Sequence, residues 1–151
     1  AGFSMMELVI SIAIIGILMA IAVPNYITHR NNQQVSRAAR EIYSTLQSAK
    51  MTAIRENNPI NVLFAPGAGT YQVFRDTNAD NVVDAGEEIS TGQMPPGVTM
   101  QSATFAGAAN ATRFTRLGLT TGENGTVTVT NGNRTIDVVV NVAGGVRVEL
   151  Q

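Results

Sequence analysis

The sequence predicts an α+β protein in which one long N-terminal helix packs on an antiparallel β-sheet. Three observations lead to this fold class. Residues 1–24 are almost entirely apolar, residues 25–58 carry apolar side chains at helical spacing, and residues 59–151 are rich in Val, Thr and Gly. The predicted helix is therefore hydrophobic in its first half and amphipathic in its second half, and the strands of the sheet follow it.

The apolar segment at the N-terminus has the length of a transmembrane helix. Residues 3–23 contain a single charge, Glu7. At about 1.5 Å per residue, such a helix covers roughly 30 Å, the thickness of a bilayer's hydrocarbon core. A carboxylate at a membrane centre costs about 2.5–3.5 kcal/mol, and less near an interface, so we expect another chain to supply a cation for Glu7. A removable signal peptide is the alternative, but such peptides open with basic residues, which this segment lacks.

An amphipathic stripe continues the helix beyond Pro24. Because proline removes a backbone donor and clashes with the preceding turn, a kink or a break is expected there. Asn57 and the Asn-Pro pair after it are a stop signal, so the sequence predicts one long, bent helix over residues 3–57. The predicted buried face follows a 4-3-4-3-4 spacing and consists of Val35, Ala39, Ile42, Leu46, Ala49 and Ala53.

The rest of the chain has the pattern of short strands separated by turns. Residues 102–111 are rich in Ala, Gly and Asn and are predicted to form a surface loop. Hairpin turns are predicted at Asn131-Gly132 and at Gly144-Gly145, because such pairs favour tight β-turns. The expected sheet has six or seven antiparallel strands, predicted over residues 60–64, 70–75, 98–101, 113–116, 125–130, 133–141 and 146–150.

Composition narrows the classes of function. The 151-residue chain has a net charge of −1, which gives no global basic field for nucleic acid. It contains no cysteine, so disulfides and thiolate chemistry are excluded. The sequence contains no phosphate-binding loop ending in Lys-Ser/Thr, no His-Glu-x-x-His motif and no nucleophile elbow. We therefore expect a protein that is not an enzyme.

An acidic segment at residues 76–88 is the best candidate for a ligand site. Oxygen-bearing side chains follow the spacing of a calcium-binding loop, in which alternate oxygens let a tight turn wrap a hard cation. Asn81 stands at the sixth position, where such loops usually have glycine. A solvated turn capped by its own Asx side chains is the other interpretation, and the sequence leaves both open. The predicted calcium ligands are Asp76, Asn78, Asp80, the Val82 carbonyl, Asp84 and Glu87.

The N-terminal segment resembles that of type IV pilins and type II secretion pseudopilins. Gly2-Phe3 matches the processing junction of that family, and Glu7 is the fifth residue counting from Phe3. The resemblance implies that a prepilin peptidase cuts after Gly2, that the new amine is methylated, and that Glu7 pairs with the amine of a neighbouring subunit. It also implies that Gly16 and Pro24 bracket a stretch that can lose helicity in the filament.

The second half of the chain resembles the globular domain of H-type minor pseudopilins (GspH) and FimT-type minor pilins. The resemblance is carried by Phe-Arg-Asp-x-Asn-x-Asp, Pro-Pro-Gly-Val, Arg-Phe-Thr-Arg-Leu-Gly and a terminal Gly-x-Val-Arg-Val. Some FimT-type pilins bind DNA through a basic Gly-Arg-x-Arg element. Here the matching residues are Gly144-Gly145-Val146-Arg147, which lack the first arginine. One arginine supplies little affinity for phosphates, so nucleic acid is not an expected partner.

Together the resemblances imply a structural subunit of a type IV pilus-like or type II secretion pseudopilus filament. The expected partners are other pilin or pseudopilin subunits, a prepilin peptidase, and the bacterial inner membrane before assembly. The globular domain is expected in the periplasm first and in a periplasmic or extracellular filament later. The alternative is a membrane-anchored periplasmic domain that binds calcium or another ligand and never polymerises.

The expected organisation has four parts. Residues 1–2 depart from the processed form of the family: either they are a leader remnant, or the mature chain starts at a different residue from the one the family rule implies. Residues 3–24 form the transmembrane and polymerisation helix. Residues 25–58 form the amphipathic spine, and residues 59–151 form the globular β domain. The sequence leaves open which of the two machines the subunit serves and whether it is a major or a minor component.

Overall fold

The computed structural model describes residues 4–77, 82–84, 86–107, 110–120 and 122–151. Its first element is helix α1, Met5–Glu56, which is 52 residues long. Ser4 caps the N-terminus of α1, and Asn57 ends the helix in the left-handed conformation with a φ of 51°, which asparagine adopts more readily than most residues. The predicted stop signal is therefore confirmed.

Helix α1 runs through Pro24 without interruption, so a break at this residue, one of the two expected outcomes, is wrong. The fixed φ of proline is compatible with a helix, and the ring removes only one backbone donor. The Thr28 hydroxyl donates to the Pro24 carbonyl at 3.1 Å, and the Asn25 side-chain amide donates to the Ile21 carbonyl at 3.0 Å. These side chains supply additional donors to the carbonyls around the proline.

Eight strands follow in the described part of the chain. They are β1 (Ile60–Ala65), β2 (Thr70–Phe74), β3 (Glu88–Gln93), β4 (Thr99–Phe105), β5 (Ala111–Phe114), β6 (Gly125–Thr130), β7 (Thr135–Val140) and β8 (Val146–Leu150). They form two four-stranded sheets with the orders β3-β2-β1-β5 and β4-β6-β7-β8. All pairings within the sheets are antiparallel. The α+β fold class is confirmed, but the expected single sheet is in fact two.

Two strand assignments from the sequence are wrong. Strand β3 lies where no strand is predicted, because its exposed residues show no apolar alternation. Strand β4 extends to Phe105 and so occupies part of the predicted surface loop, with Ala103 and Phe105 buried. A register shift between Met100 and Ser102 disrupts the alternation of this strand, which hides it from a period-two pattern.

The second half of α1 is the spine on which both sheets pack. All six residues of the predicted stripe are buried, with exposed fractions of 0–2%, and Ala38 joins them. The helix contacts β1 and β5 of one sheet and β6, β7 and β8 of the other. Because four of the seven buried helix positions are alanine, the strands can approach the helix closely. Phe64 and Phe114 are among the largest fully buried side chains of this core.

Candidate functional sites: the N-terminal helix and the acidic loop

The first half of α1 presents apolar side chains to its surroundings. The 18-residue window with the highest mean hydropathy, 2.6, is long and apolar enough to cross a membrane, and none of it is buried within the chain. Every large apolar side chain from Met5 to Ile27 is at least 51% exposed. Among the described residues, therefore, nothing covers this surface in a single copy of the chain.

Glu7 lies in the first turn of α1 and is exposed. Its backbone N–H donates to the Ser4 hydroxyl at 3.2 Å, and its carbonyl accepts from the Ser11 hydroxyl at 2.7 Å. A carboxylate in the first turn interacts favourably with the helix dipole. No cation among the described residues forms an ion pair with Glu7. Gly2 and Phe3, the predicted processing junction, lie outside the described residues.

Gly16 and Pro24 both lie within the continuous helix. No atom is within 4 Å of the position that a Cβ would take at Gly16, so another helix can approach α1 closely there. The implied loss of helicity between these residues concerns the assembled filament, and it stays a prediction.

A buried ion pair anchors the start of the acidic loop. The Asp76 carboxylate is fully buried and accepts from the Arg113 guanidinium at 2.9 Å. The Asn61 amide donates to the same carboxylate oxygen at 2.8 Å, and Arg113 Nε donates to the Asn61 side-chain oxygen at 3.0 Å. Asn61 on β1 and Arg113 on β5 thus hold Asp76, which follows the end of β2, against the other two strands on that side of the sheet. The sequence does not predict a role for Asn61 or Arg113, because the only signal of either is that a polar residue stands in an otherwise apolar strand.

Glu87 closes the other end of the acidic loop. Its carboxylate accepts from the Thr77 backbone N–H at 2.9 Å, from the Thr77 hydroxyl, and from the Asp84 backbone N–H at 3.3 Å. The Thr77 hydroxyl holds the pKa of Glu87 below its usual range, and partial burial opposes this effect. The two ends of the loop are therefore joined by hydrogen bonds to one carboxylate.

The structure describes four of the six predicted calcium ligands. Asp76 and Glu87 lie at the base of the loop, Val82 and Asp84 are exposed, and Asn78 and Asp80 lie outside the described residues together with Asn81. In the described ranges, no group of three or more His, Cys, Asp or Glu side chains is placed to hold a metal ion. Asp76 already accepts from a guanidinium, which reduces its need for a metal cation.

Arg147 is the residue on which a nucleic-acid interpretation would rest. Its side chain is 67% exposed, and Nε lies 2.7 Å from Glu149 Oε1 on the same strand, β8. The neighbouring carboxylate partly neutralises the guanidinium, so the surface there has little net positive charge. The expectation that nucleic acid is not a partner stays a prediction.

Comparison with known sequences gives a consistent set of relatives. The family model described as type II transport protein GspH matches residues 38–144. The pilin-like protein PilA1 of Thermus thermophilus is 34% identical over 89 residues, covering 58% of this chain and 56% of that protein. A fimbrial protein of Pseudomonas aeruginosa is 42% identical over 72 residues, covering 48% of this chain and 46% of that protein. The chain thus spans about half the length of these curated relatives.

Solved structures with low sequence identity share the fold. The minor pseudopilin EpsH of the Vibrio cholerae type 2 secretion system superposes with a TM-score of 0.61 at 12% identity, covering 78% of this chain and 97% of that chain. The type IV minor pilin FimU of Pseudomonas aeruginosa superposes with a TM-score of 0.60 at 18% identity, covering 83% of this chain and 92% of that chain.

An exposed apolar helix that continues into a packed spine, together with antiparallel sheets on that spine, defines the class of pilin-fold proteins. Within the class, the chain belongs to the family of the type II transport protein GspH. The resemblance to type IV pilins and type II secretion pseudopilins, and in particular to H-type pseudopilins, is confirmed.

Proposed function

We propose that this protein is a non-enzymatic structural subunit of a type IV pilus-like or type II secretion pseudopilus filament. The observation that carries the proposal is the exposed apolar half of α1, which is continuous with a second half whose apolar face is buried against the sheets. A side chain of Leu or Ile size gains about 1.5–3 kcal/mol when it leaves water, so this surface must be covered in the cell. Lipid covers it before assembly, and the helices of neighbouring subunits cover it in the filament.

Glu7 gives the assembly its register. Lipid tails are as apolar as Leu side chains, so apolar contact alone gives a helix little preference between lipid and other helices. A carboxylate in the same segment changes this balance, because it is better accommodated beside a cation than in lipid. The terminal amine of a neighbouring subunit is the cation that the family resemblance supplies, and cleavage after Gly2 by a prepilin peptidase would create it.

The proposed location follows from the same helix. The subunit is held in the bacterial inner membrane with its globular domain in the periplasm, and it then enters a periplasmic or extracellular filament with other pilin or pseudopilin subunits. A membrane-anchored domain that never polymerises is the competing proposal. Recovery of the chain in fibres, as opposed to membranes alone, when the assembly proteins are present separates the two.

Replacing Glu7 with alanine is expected to leave the chain in the membrane but to lower fibre yield by about tenfold or more, because a buried terminal amine would lack its counter-charge. The measurement is the ratio of sheared fibre protein to membrane protein in cells with the full assembly machinery. Glu56→Ala, which removes an exposed carboxylate at the other end of the same helix, is the matched control and should keep wild-type yield. Wild-type yield from Glu7→Ala would contradict the proposed role of Glu7.

We also propose that the acidic loop binds calcium. The ligand spacing supports this proposal, and so does Glu87, whose carboxylate is already oriented at the twelfth loop position by Thr77. The ion pair between Arg113 and Asp76 argues against this proposal, because the guanidinium neutralises one of the carboxylates that would bind the cation. An ion bound between the remaining oxygens would stiffen a loop that no disulfide restrains.

Calcium at about 100 times its dissociation constant is expected to stabilise the protein by about 2.7 kcal/mol, seen as an increase in Tm relative to a chelator. Asp80→Ala should abolish the increase. Glu88→Ala, which changes an exposed acid outside the ligand set, should retain it. An identical Tm of the unmodified protein in calcium and in chelator would leave the segment as a plain acidic turn.

A further inference from the structure

Two strand edges of the globular domain have no neighbouring strand in the described part of the chain. The outer strands of the two sheets are β3 and β5 in one and β4 and β8 in the other, and β4 contacts β5. This contact leaves the outer sides of β3 and β8 open. An exposed edge is a template for pairing with another chain, and proteins usually block it with Lys, Pro or a covering loop. Strand β3 contains neither Lys nor Pro.

The open edge of β3 has small residues on its helix-facing side. Ser90 is paired with Val73 and Gly92 with Tyr71, and the side chains of both partners are buried toward the helix. Directly paired residues lie on the same face of a sheet, so Ser90 and Gly92 also face α1. A Cβ at Gly92 would lie 2.1 Å from Cζ of Tyr71, so the tyrosine ring occupies the space of the missing side chain.

A groove separates β3 from the helix. Its volume is roughly 290 Å³, and most of its lining residues on α1 and β3 are Ser or Thr. Tyr71 and Glu41 both line this groove, and the Tyr71 hydroxyl donates to Glu41 Oε1 at 2.9 Å. Because Ser90 is too small to fill this space, the edge of β3 is a recess at Ser90, beside an open row of backbone donors and acceptors.

The open edge of β8 has the opposite shape. Val146, Val148 and Leu150 are paired with buried residues of β7, so their side chains lie on the helix-facing side of that sheet. Val148 is 42% exposed and Leu150 is 68% exposed, because no strand in the described chain lies beyond them. The outward-facing residues of β8, Arg147 and Glu149, pair with each other and leave little net charge to repel a neighbour.

We propose that the β3 edge of one copy pairs with the β8 edge of a second copy. Strands paired at about 4.8 Å would continue the helix-facing surface from one copy to the next and place Val148 or Leu150 of the second copy beside Ser90 of the first, where the recess lies. The contact joins two different surfaces of the same chain, so it repeats head to tail and suits a polymer. This inference rests on the proposed filament function, because the contact repeats from copy to copy only if the chain polymerises.

These 151 residues contain no cysteine, so the contact can be tested by introducing pairs of cysteines. Ser90→Cys is combined with Val148→Cys and, in a second variant, with Leu150→Cys, so that two registers of pairing are sampled. Fibres and membranes are oxidised mildly and analysed on non-reducing gels. We expect a ladder of dimers, trimers and larger species from at least one double variant, because each copy would be linked to two others.

The controls use the same first cysteine. Ser90→Cys alone should give no ladder, and Ser90→Cys with Asn133→Cys, in the exposed β6–β7 turn, should give none either. Val148→Lys added to Ser90→Cys and Leu150→Cys should abolish any ladder by placing a charge at the contact.

The outcomes separate this inference from the proposed function. Normal fibres without a ladder from either double variant would overturn the edge contact and leave the filament proposal standing. Dimers from Ser90→Cys alone would show that β3 pairs with itself and would also overturn it. If the unmodified chain forms no fibres, the filament proposal fails; a ladder in membranes would then support the edge contact alone, and its absence would overturn both.

Discussion

Replacing Arg113 with alanine is expected to lower the free energy of unfolding by about 3–5 kcal/mol, because removal of one partner leaves a buried charge without its counter-ion. Asp76 is fully buried, and the Arg113 guanidinium lies 2.9 Å from its carboxylate. The loss is a large fraction of the roughly 5–15 kcal/mol that stabilises a typical domain. The measurement is urea unfolding of the detergent-solubilised chain followed by circular dichroism.

Two further variants identify the cause of the Arg113 effect. Arg147→Ala removes an arginine from an exposed ion pair, 67% and 49% exposed at its two side chains, and should cost no more than about 1 kcal/mol. Asp76→Asn combined with Arg113→Ala should recover part of the lost stability, because the buried charge is then gone. An Arg113→Ala variant as stable as Arg147→Ala would show that the network is not needed for folding.

Replacing Leu46 with alanine is expected to cost about 2–5 kcal/mol, since it removes a large side chain from the centre of the helix–sheet interface and leaves a cavity. Leu46 is 0% exposed and lies in the stripe on which both sheets pack. The free energy of unfolding, measured by the same denaturation experiment, reports this loss.

Met51→Ala is the matched control for Leu46→Ala, because Met51 lies on the same helix but is 63% exposed. It should change stability by less than about 0.5 kcal/mol. Equal losses at the two positions would mean that the second half of α1 does not form the core of the domain.

The helix was predictable in detail because its signals are local. Its apolar half, its stripe and the stop at Asn57 depend on residues within a few positions of one another along the chain. The hairpin turns at residues 131–132 and 144–145 were predictable for the same reason, and turns link β6 to β7 and β7 to β8 at these positions. Glu7 could be identified because a single charged residue within an apolar segment is evident from the sequence alone.

The strands at the edges and bulges were not predictable. Strand β3 consists of residues that would also suit a loop, and it is a strand because β2 offers it backbone partners. The bulge in β4 disrupts the alternation from which a buried strand is recognised. The candidate calcium loop shows a related limit, since its spacing suggests six ligands but cannot reveal that Arg113, 37 residues away along the chain, binds Asp76.

The sequence by itself determined the class of this protein, namely a membrane-length apolar helix with one acid, an amphipathic spine and a β domain. Helical periodicity, turn chemistry and the cost of a charge in lipid all act over short stretches of chain. Only the tertiary structure decided that the strands form two sheets, that Asn61 and Arg113 fix Asp76, and that β3 and β8 are outer strands of those sheets. These features arise from contacts between residues distant in sequence, and the local pattern of amino acids does not specify which distant groups meet.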